Sequence, residues 1–440
     1  MPLLDRLGLH RPELRAWALY DWANSVFMTT VLQVFPIYFA KVAAAGLPAA
    51  DATRRFALAT TFSMIVIALL SPALGAMADY AGIKKKMLAA FMGLGVVSTA
   101  GLYFVGKGDW VLGAGLFILG NIGITGSFVF YDSLLPHIAR ENEVDRVSSA
   151  GFALGYLGGG LLLAFNLVMI RNLAFFGLSD GASATRLSFL TAAIWWLAFS
   201  IPLLLRVPEP HRRLEPDESV GENPVKAAFL RLGETLRELR GFREAFLFLL
   251  AFLIYSDGIS TIIRMATSYG TEIGIAPDAL MGAALLVQFV GIPFALLFGA
   301  LAGRIGAKRA IFIGLAVYVL ITLVGYFMTT AAHFFILAAL VGTVMGGSQA
   351  LSRSLFSTLI PKHKSSEFFA FFSVFDKFAG IVGPALFAGM IAATGSSRPA
   401  ILALALLFVA GGAILTLVDV EKGQRAAREA EARLAGGMLR

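Results

Sequence analysis

Long apolar runs separated by short polar breaks make up nearly the whole chain. Each run approaches the roughly 20 residues that an α-helix needs to cross a hydrocarbon core. The pattern predicts twelve such helices, over 16–40, 56–79, 87–105, 111–135, 148–170, 187–205, 245–271, 279–302, 310–328, 332–358, 367–393 and 398–418. The longest hydrophilic stretch, 207–243, falls near the middle and divides the helices six and six. The expected organisation is a half over 1–206, a linker over 207–243, a second half over 244–419 and a polar tail over 420–440. In the linker, Phe229, Leu232, Leu236 and Leu239 recur at helical spacing with arginines between, which predicts a helix lying in the membrane interface.

The two halves repeat weakly at an offset of 224–225 residues. Gly75 maps to Gly299, Gly82 to Gly306, Lys84 and Lys85 to Lys308 and Arg309, Pro136 to Pro361, and Gly155 and Gly158 to Gly380 and Gly383. Two related six-helix halves are the repeat plan of the major facilitator fold, in which substrate binds near the midplane between them.

Composition agrees. With 58% hydrophobic and 15% charged residues, the chain holds more apolar surface than a water-soluble core can hide. That rules out a disordered chain or an ordinary soluble enzyme. There is no cysteine, so thiolate chemistry, disulfides and cysteine-ligated metals are absent. The five histidines fall in or near loops, and no metal or other cofactor is expected. A net charge of +8 suggests nucleic acid in a soluble protein. Here the basic residues instead sort by loop. One side holds Arg6, Arg11, Arg15, Lys84–Lys86, Arg140, Arg146, the linker cluster, Arg304, Lys308, Arg309, Lys362, Lys364 and the tail, while the other holds Lys41, Arg54, Arg55, Lys107, Arg171, Arg186 and Arg398. Cytoplasmic loops concentrate Lys and Arg, so both termini are expected in the cytoplasm of a cell whose inner membrane the chain spans.

The loop after the second helix reads GAMADYAGIKKK (Gly75–Lys86). It resembles the signature loop of the major facilitator superfamily, and GALAGRIGAKR (Gly299–Arg309) repeats it with Gly303 in place of the acid. Gly75 permits close helix packing and Gly82 a tight turn. Asp79 lies at a helix end, where it can meet a cation or a helix N-terminus across the halves. With Lys84 and Lys85 these residues are read as a conformational latch. WALYDWANSVFMTTVLQVFPIYF (Trp17–Phe39), SSAGFALGYLGGG (Ser148–Gly160) and the segment Gly346–Pro384 resemble the vacuole-effluxer-like branch, which includes fungal vacuolar amino-acid effluxers and bacterial relatives. The resemblance implies a secondary transporter and central cavity walls on the first, fourth, seventh and tenth helices.

A charge inside a span is costly and marks a candidate site. Asp21, Asp132, Asp257, Arg264, Arg353, Asp376 and Lys377 qualify. Arg353 and Asp376 have matching depths, roughly 12 and 13 Å from the cytoplasmic end at 1.5 Å per residue, so an Arg353–Asp376 pair is expected. Asp257 lies near the midplane and is the candidate for proton coupling, with Arg264 roughly 10 Å further out. The competing reading makes Asp257 a structural carboxylate hydrogen-bonded to neighbours such as Tyr255. Asp21 and Asn24 share a helix face and suit a gate or a substrate contact; Gln349 lies one turn from Arg353. Asp132 is gate-like, and Lys377, about 100° round from Asp376, is placed to meet Asp132 or Asp79 in one state.

These features favour alternating-access transport of a small polar or zwitterionic solute, an amino acid or related metabolite by the resemblance, with protons as candidate coupling ions and lipids as surroundings. A mover of lipids or amphiphiles is the second reading. An intramembrane enzyme lacks a nucleophile–base pair or metal ligands in the spans.

Overall fold

The structure, a computed structural model, describes residues 3–210, 241–272, 274–379 and 382–437; for a few of these, Lys377 among them, only the backbone is described. The expected interfacial helix of the linker lies outside these residues apart from its last positions. The described chain is helical throughout, with no strand. The helices are α1 (Pro12–Ala43), α2 (Ala49–Ala81), α3 (Lys84–Phe104), α4 (Trp110–Ile138), α5 (Val144–Arg171), α6 (Gly181–Arg206), α7 (Arg243–Glu272), α8 (Pro277–Ile305), α9 (Ala307–Tyr326), α10 (Ala331–Leu359), α11 (Ser365–Phe378), α12 (Val382–Thr394), α13 (Ser397–Thr416) and α14 (Val420–Gly437).

Eleven of the described helices are long and apolar enough to cross a membrane. In hydrocarbon each backbone group must find its partner within the protein, and a helix supplies it locally. The expected continuous span over 367–393 differs: α11 ends at Phe378, Ala379 is extended (φ −61°, ψ 125°), and α12 begins at Val382. The tail expected to be merely polar forms α14, which buries Ala427 and Leu434 and accepts the Lys362 N–H on Glu431 at 2.9 Å.

Two hydrophobic cores form, one drawn from α1–α6 together with Ala370 of α11 and the other from α7–α13. The phenylalanines of the second half are core: Phe252 stacks on Phe372 at 4.3 Å, and Phe356 on Phe372 at 5.2 Å. The halves meet along two seams, α5 against α8 and α2 against α11. Helix α1 carries two widened π-type turns, Phe27–Val31 and Phe39–Ala43, either side of Gln33 and Pro36. Proline removes a backbone donor from the ladder and so loosens it there.

Both described ends lie on one face, called here the terminal face. Arg11 donates to the Ile138 carbonyl at 2.7 Å and pairs with Glu143, while Arg428 of α14 approaches Glu141 at 3.7 Å. On the far face, Asp180 caps α6 by accepting the Ser183 N–H at 2.7 Å, and that bond holds its carboxyl below the usual range.

Candidate functional site

Across the seams, the hydrogen bonds and ion pairs gather on the terminal side. Arg353 of α10 is 3% exposed and reaches into the other half. Its Nη2 donates to Asp21 Oδ2 of α1 at 3.0 Å and to the Ser148 carbonyl of α5 at 3.0 Å. Nη1 donates to Asp132 Oδ1 of α4 at 3.2 Å, and Nε to Ser148 Oγ at 3.0 Å. The guanidinium also faces the rings of Phe152 at 4.5 Å and Trp17 at 4.7 Å. The partners of Arg353 are thus Asp21 and Asp132 and not the expected Asp376, which is half-buried on α11. Depth along single helices misled here, because the halves pack so that α10 meets α5 more closely than α11 does. Two carboxylates facing one guanidinium leave the group one negative charge in excess, so a single proton would neutralise it.

The signature loop builds the second contact. Gly82 takes the left-handed conformation (φ +64°), closing the turn between α2 and α3. A Cβ on Gly75 would come within 2.5 Å of the Ser366 carbonyl oxygen, so only glycine lets α2 lie this close to α11. Asp79 Oδ2 accepts the Glu367 N–H at the start of α11 at 2.8 Å, a carboxylate at the positive end of a helix. Lys84, itself buried, pairs with Asp79 and donates to Ser365 Oγ at 2.6 Å. Lys85 instead donates to the Val207 carbonyl at 2.9 Å, tying α3 to the end of α6. In the repeated loop Gly306 also has positive φ, and Lys308 donates to the Val418 carbonyl at 2.7 Å.

Serines that the sequence reading passed over complete the closure. Ser148 donates to the Ala350 carbonyl at 2.7 Å, Ser354 to Asp145 at 2.5 Å, and Ser366 to Ser133 at 3.0 Å. Charge inside a span announces itself in a sequence; a hydroxyl does not, because most serines in helices bond their own carbonyls.

Toward the far face lies a cavity of about 200 Å³. It is lined by Gln33 of α1 and by residues of α7–α10 and α13, including Ile262, Met265, Leu280, Gln288, Phe334, Val341 and Met345. None of its described lining residues is charged. Tyr269 closes one edge and spends its hydroxyl on the Gly325 carbonyl at 3.2 Å.

The remaining charged candidates lie elsewhere. Asp257 accepts the Val382 N–H at 2.9 Å and the Gly383 N–H at 3.0 Å, and so caps α12 where the eleventh span breaks. Thr261 donates to it at 3.4 Å. Tyr255, the neighbour named in the structural reading of Asp257, shares a hydrogen bond with Ser352 Oγ at 2.6 Å. Arg264 is exposed and outside the cavity lining. Asn24 is buried, with no partner for Nδ2 among the described residues, and Gln349 is half-buried; neither lines the cavity. The side chain of Lys377, expected to meet Asp132 or Asp79, lies outside the described residues. No cluster able to hold a metal ion occurs among them.

Comparison with known proteins fits this geometry. The sequence profile described as "Vacuole effluxer Atg22 like" matches residues 50–428. An uncharacterized MFS-type transporter, YxiO, of Bacillus subtilis (strain 168) is 39% identical over 92% of this chain and 94% of its own length. Autophagy-related protein 22 of Coccidioides immitis (strain RS) is 26% identical over 87% of this chain and 75% of its own. Among solved structures, the proton:xylose symporter XylE superposes with a TM-score of 0.67 at 14% identity, covering 94% of this chain and 95% of XylE. The transporter FucP in its outward conformation gives 0.67 at 12% identity, covering 94% and 99%.

Proposed function

The chain belongs to the vacuole effluxer Atg22-like family of major facilitator transporters, and on that premise we propose that it moves a small solute with an apolar body and a polar end by alternating access. An amino acid with an apolar side chain fits this description. The cavity carries the reading: about 200 Å³ of space, apolar walls and two amides, Gln33 and Gln288. That is below the roughly 300–1,000 Å³ of pockets for drug-sized ligands, so the solute is small. Asp21, Asp132 and Arg353 are engaged in joining the halves, Asp257 caps a helix, and Arg264 lies outside the cavity lining, which leaves the amides to meet the polar end.

With both termini in the cytoplasm, as the basic loops suggest, the closed terminal face makes this an outward-facing state. Inward opening would then require Arg353 to leave Asp21 and Asp132 and α11 to leave Asp79. A proton on either acid of the Arg353 group weakens its hold, which gives a route for proton coupling that does not pass through Asp257.

The test is uptake of a mixed labelled amino-acid pool into proteoliposomes, with and without an imposed pH gradient. Gradient-dependent uptake of the members with apolar side chains supports the reading. No uptake of any member by folded protein refutes the amino-acid assignment. The apolar walls favour a second reading, an amphiphile mover, which translocation of a fluorescent short-chain phospholipid in the same vesicles would identify.

A further inference from the structure

Between the cavity and the Arg353 group lies a buried tyrosine that neither uses. Along α5, from the far side inward, Gly160 faces Gln288 of the cavity lining, with 3.5 Å from a Cβ on the glycine to the Gln288 Cβ. One turn on, Tyr156 inserts between α8 and α10. Its ring fills a slot opened by Gly291 of α8, where a Cβ would come within 3.1 Å, and by Gly346 of α10, where a Cβ would overlap the ring. Gly346 adjoins Met345, which lines the cavity. Two turns further, Ser148 bonds Ala350 and Arg353. Tyr156 therefore lies behind the cavity lining on the inward path, at the seam between the halves.

Its hydroxyl is buried, yet has no hydrogen-bond partner among the described residues. A buried, unpaired hydroxyl forfeits its hydration without compensation, so it raises the energy of the state that buries it. Once α5 parts from α8 and α10, the slot opens and the hydroxyl regains water.

We propose that Tyr156 is a gating residue: its orphaned hydroxyl in the glycine slot biases the transporter away from the closed terminal face and toward opening on that side. The phenol seals the seam by shape while its polar end keeps the seal from being too stable. The inference rests on the transport reading for the existence of two states, but its test contains no solute and so succeeds or fails apart from the solute assignment.

The chain has no cysteine, so single cysteines report opening cleanly. Ala350→Cys places a thiol in the closed seam, where Ala350 is fully buried, and Ala284→Cys places one in the exposed cavity lining. In detergent-solubilised protein, adding Tyr156→Phe should slow N-ethylmaleimide labelling of Ala350→Cys about tenfold, the equivalent of ~1.4 kcal/mol. Labelling of Ala284→Cys should be unchanged or faster. Thr99→Val removes another buried hydroxyl that has no partner among the described residues, on a helix packed within the first half, and should leave both rates unaltered. An unchanged or faster rate at Ala350→Cys overturns the proposal. So does equal slowing by Thr99→Val, or acceleration at both cysteines, which would mark Tyr156 as a packing residue only.

Discussion

Replacing Arg353 with Gln tests whether its contacts hold the terminal face shut. The wild-type guanidinium makes four hydrogen bonds into the other half, two to carboxylates and two to Ser148, among groups that are almost wholly buried. Breaking a buried ion pair by removing one partner costs about 3–5 kcal/mol, because the other charge is left stranded. Opening the seam lets water reach Asp21 and Asp132, so part of that cost falls only on the closed state. A differential of about 2 kcal/mol shifts the equilibrium roughly 30-fold, at ~1.4 kcal/mol per decade. A population held near 99:1 in favour of closure would fall to about 3:1. Spin labels at Asn142→Cys and Lys362→Cys, both exposed and on opposite sides of the seam, would show this as a new, longer distance component in pulsed electron paramagnetic resonance. Arg353→Lys should behave nearly as badly, since an ammonium cannot reproduce the fork that reaches Asp21, Asp132 and Ser148 together. Asp132→Asn should be mild, because it leaves one acid to one guanidinium. A distance distribution in Arg353→Gln identical to wild type would refute the latch.

Gly75→Ala should lower the thermal midpoint of the purified protein or open the α2–α11 seam, since its methyl meets the Ser366 carbonyl at 2.5 Å; unchanged stability and unchanged seam labelling would contradict the close approach. Asp79→Asn strands the buried Lys84 ammonium and should cost a few kcal/mol, read as a lower midpoint that Lys84→Met partly restores; additive losses would count against the pairing. Asp257→Asn removes one of the two acceptors that cap α12 and should cost about 0.5–2 kcal/mol while leaving the pH dependence of uptake intact; loss of that dependence would return the coupling role to Asp257. Impermeant maleimide applied to whole cells should label Lys107→Cys and spare Lys86→Cys, both positions being exposed; the reverse pattern would invert the topology.

Much of the fold was legible because hydrocarbon imposes a simple rule. A span must be helical and apolar, so run length alone located the helices, and the repeat of Gly75, Gly82 and Lys84 at Gly299, Gly306 and Lys308 exposed the two halves. The break after Phe378 escaped although Gly380, Gly383 and Pro384 flank it, because those residues are equally at home inside a membrane span; the donors at the start of α12 are satisfied from another helix, by Asp257. The same limit governed the site. Intramembrane charge singles out Arg353, Asp21 and Asp132, which the fold brings together, but partner choice depends on which helices face each other across the seam, and depth along a helix contains no such information. It matched Arg353 with Asp376, while the packing put Asp21 and Asp132 in reach. The consequence reaches specificity. If selectivity resided in buried charges, the cavity would display them; instead they are engaged with each other and with backbone donors, and the cavity walls are apolar with Gln33 and Gln288 as their amides. A carboxylate or ammonium on the solute would find neither counter-ion there in this state. Discrimination should therefore follow the size and apolarity of the solute body, and charge should act through the equilibrium between states, at Arg353 and Asp79, rather than through binding.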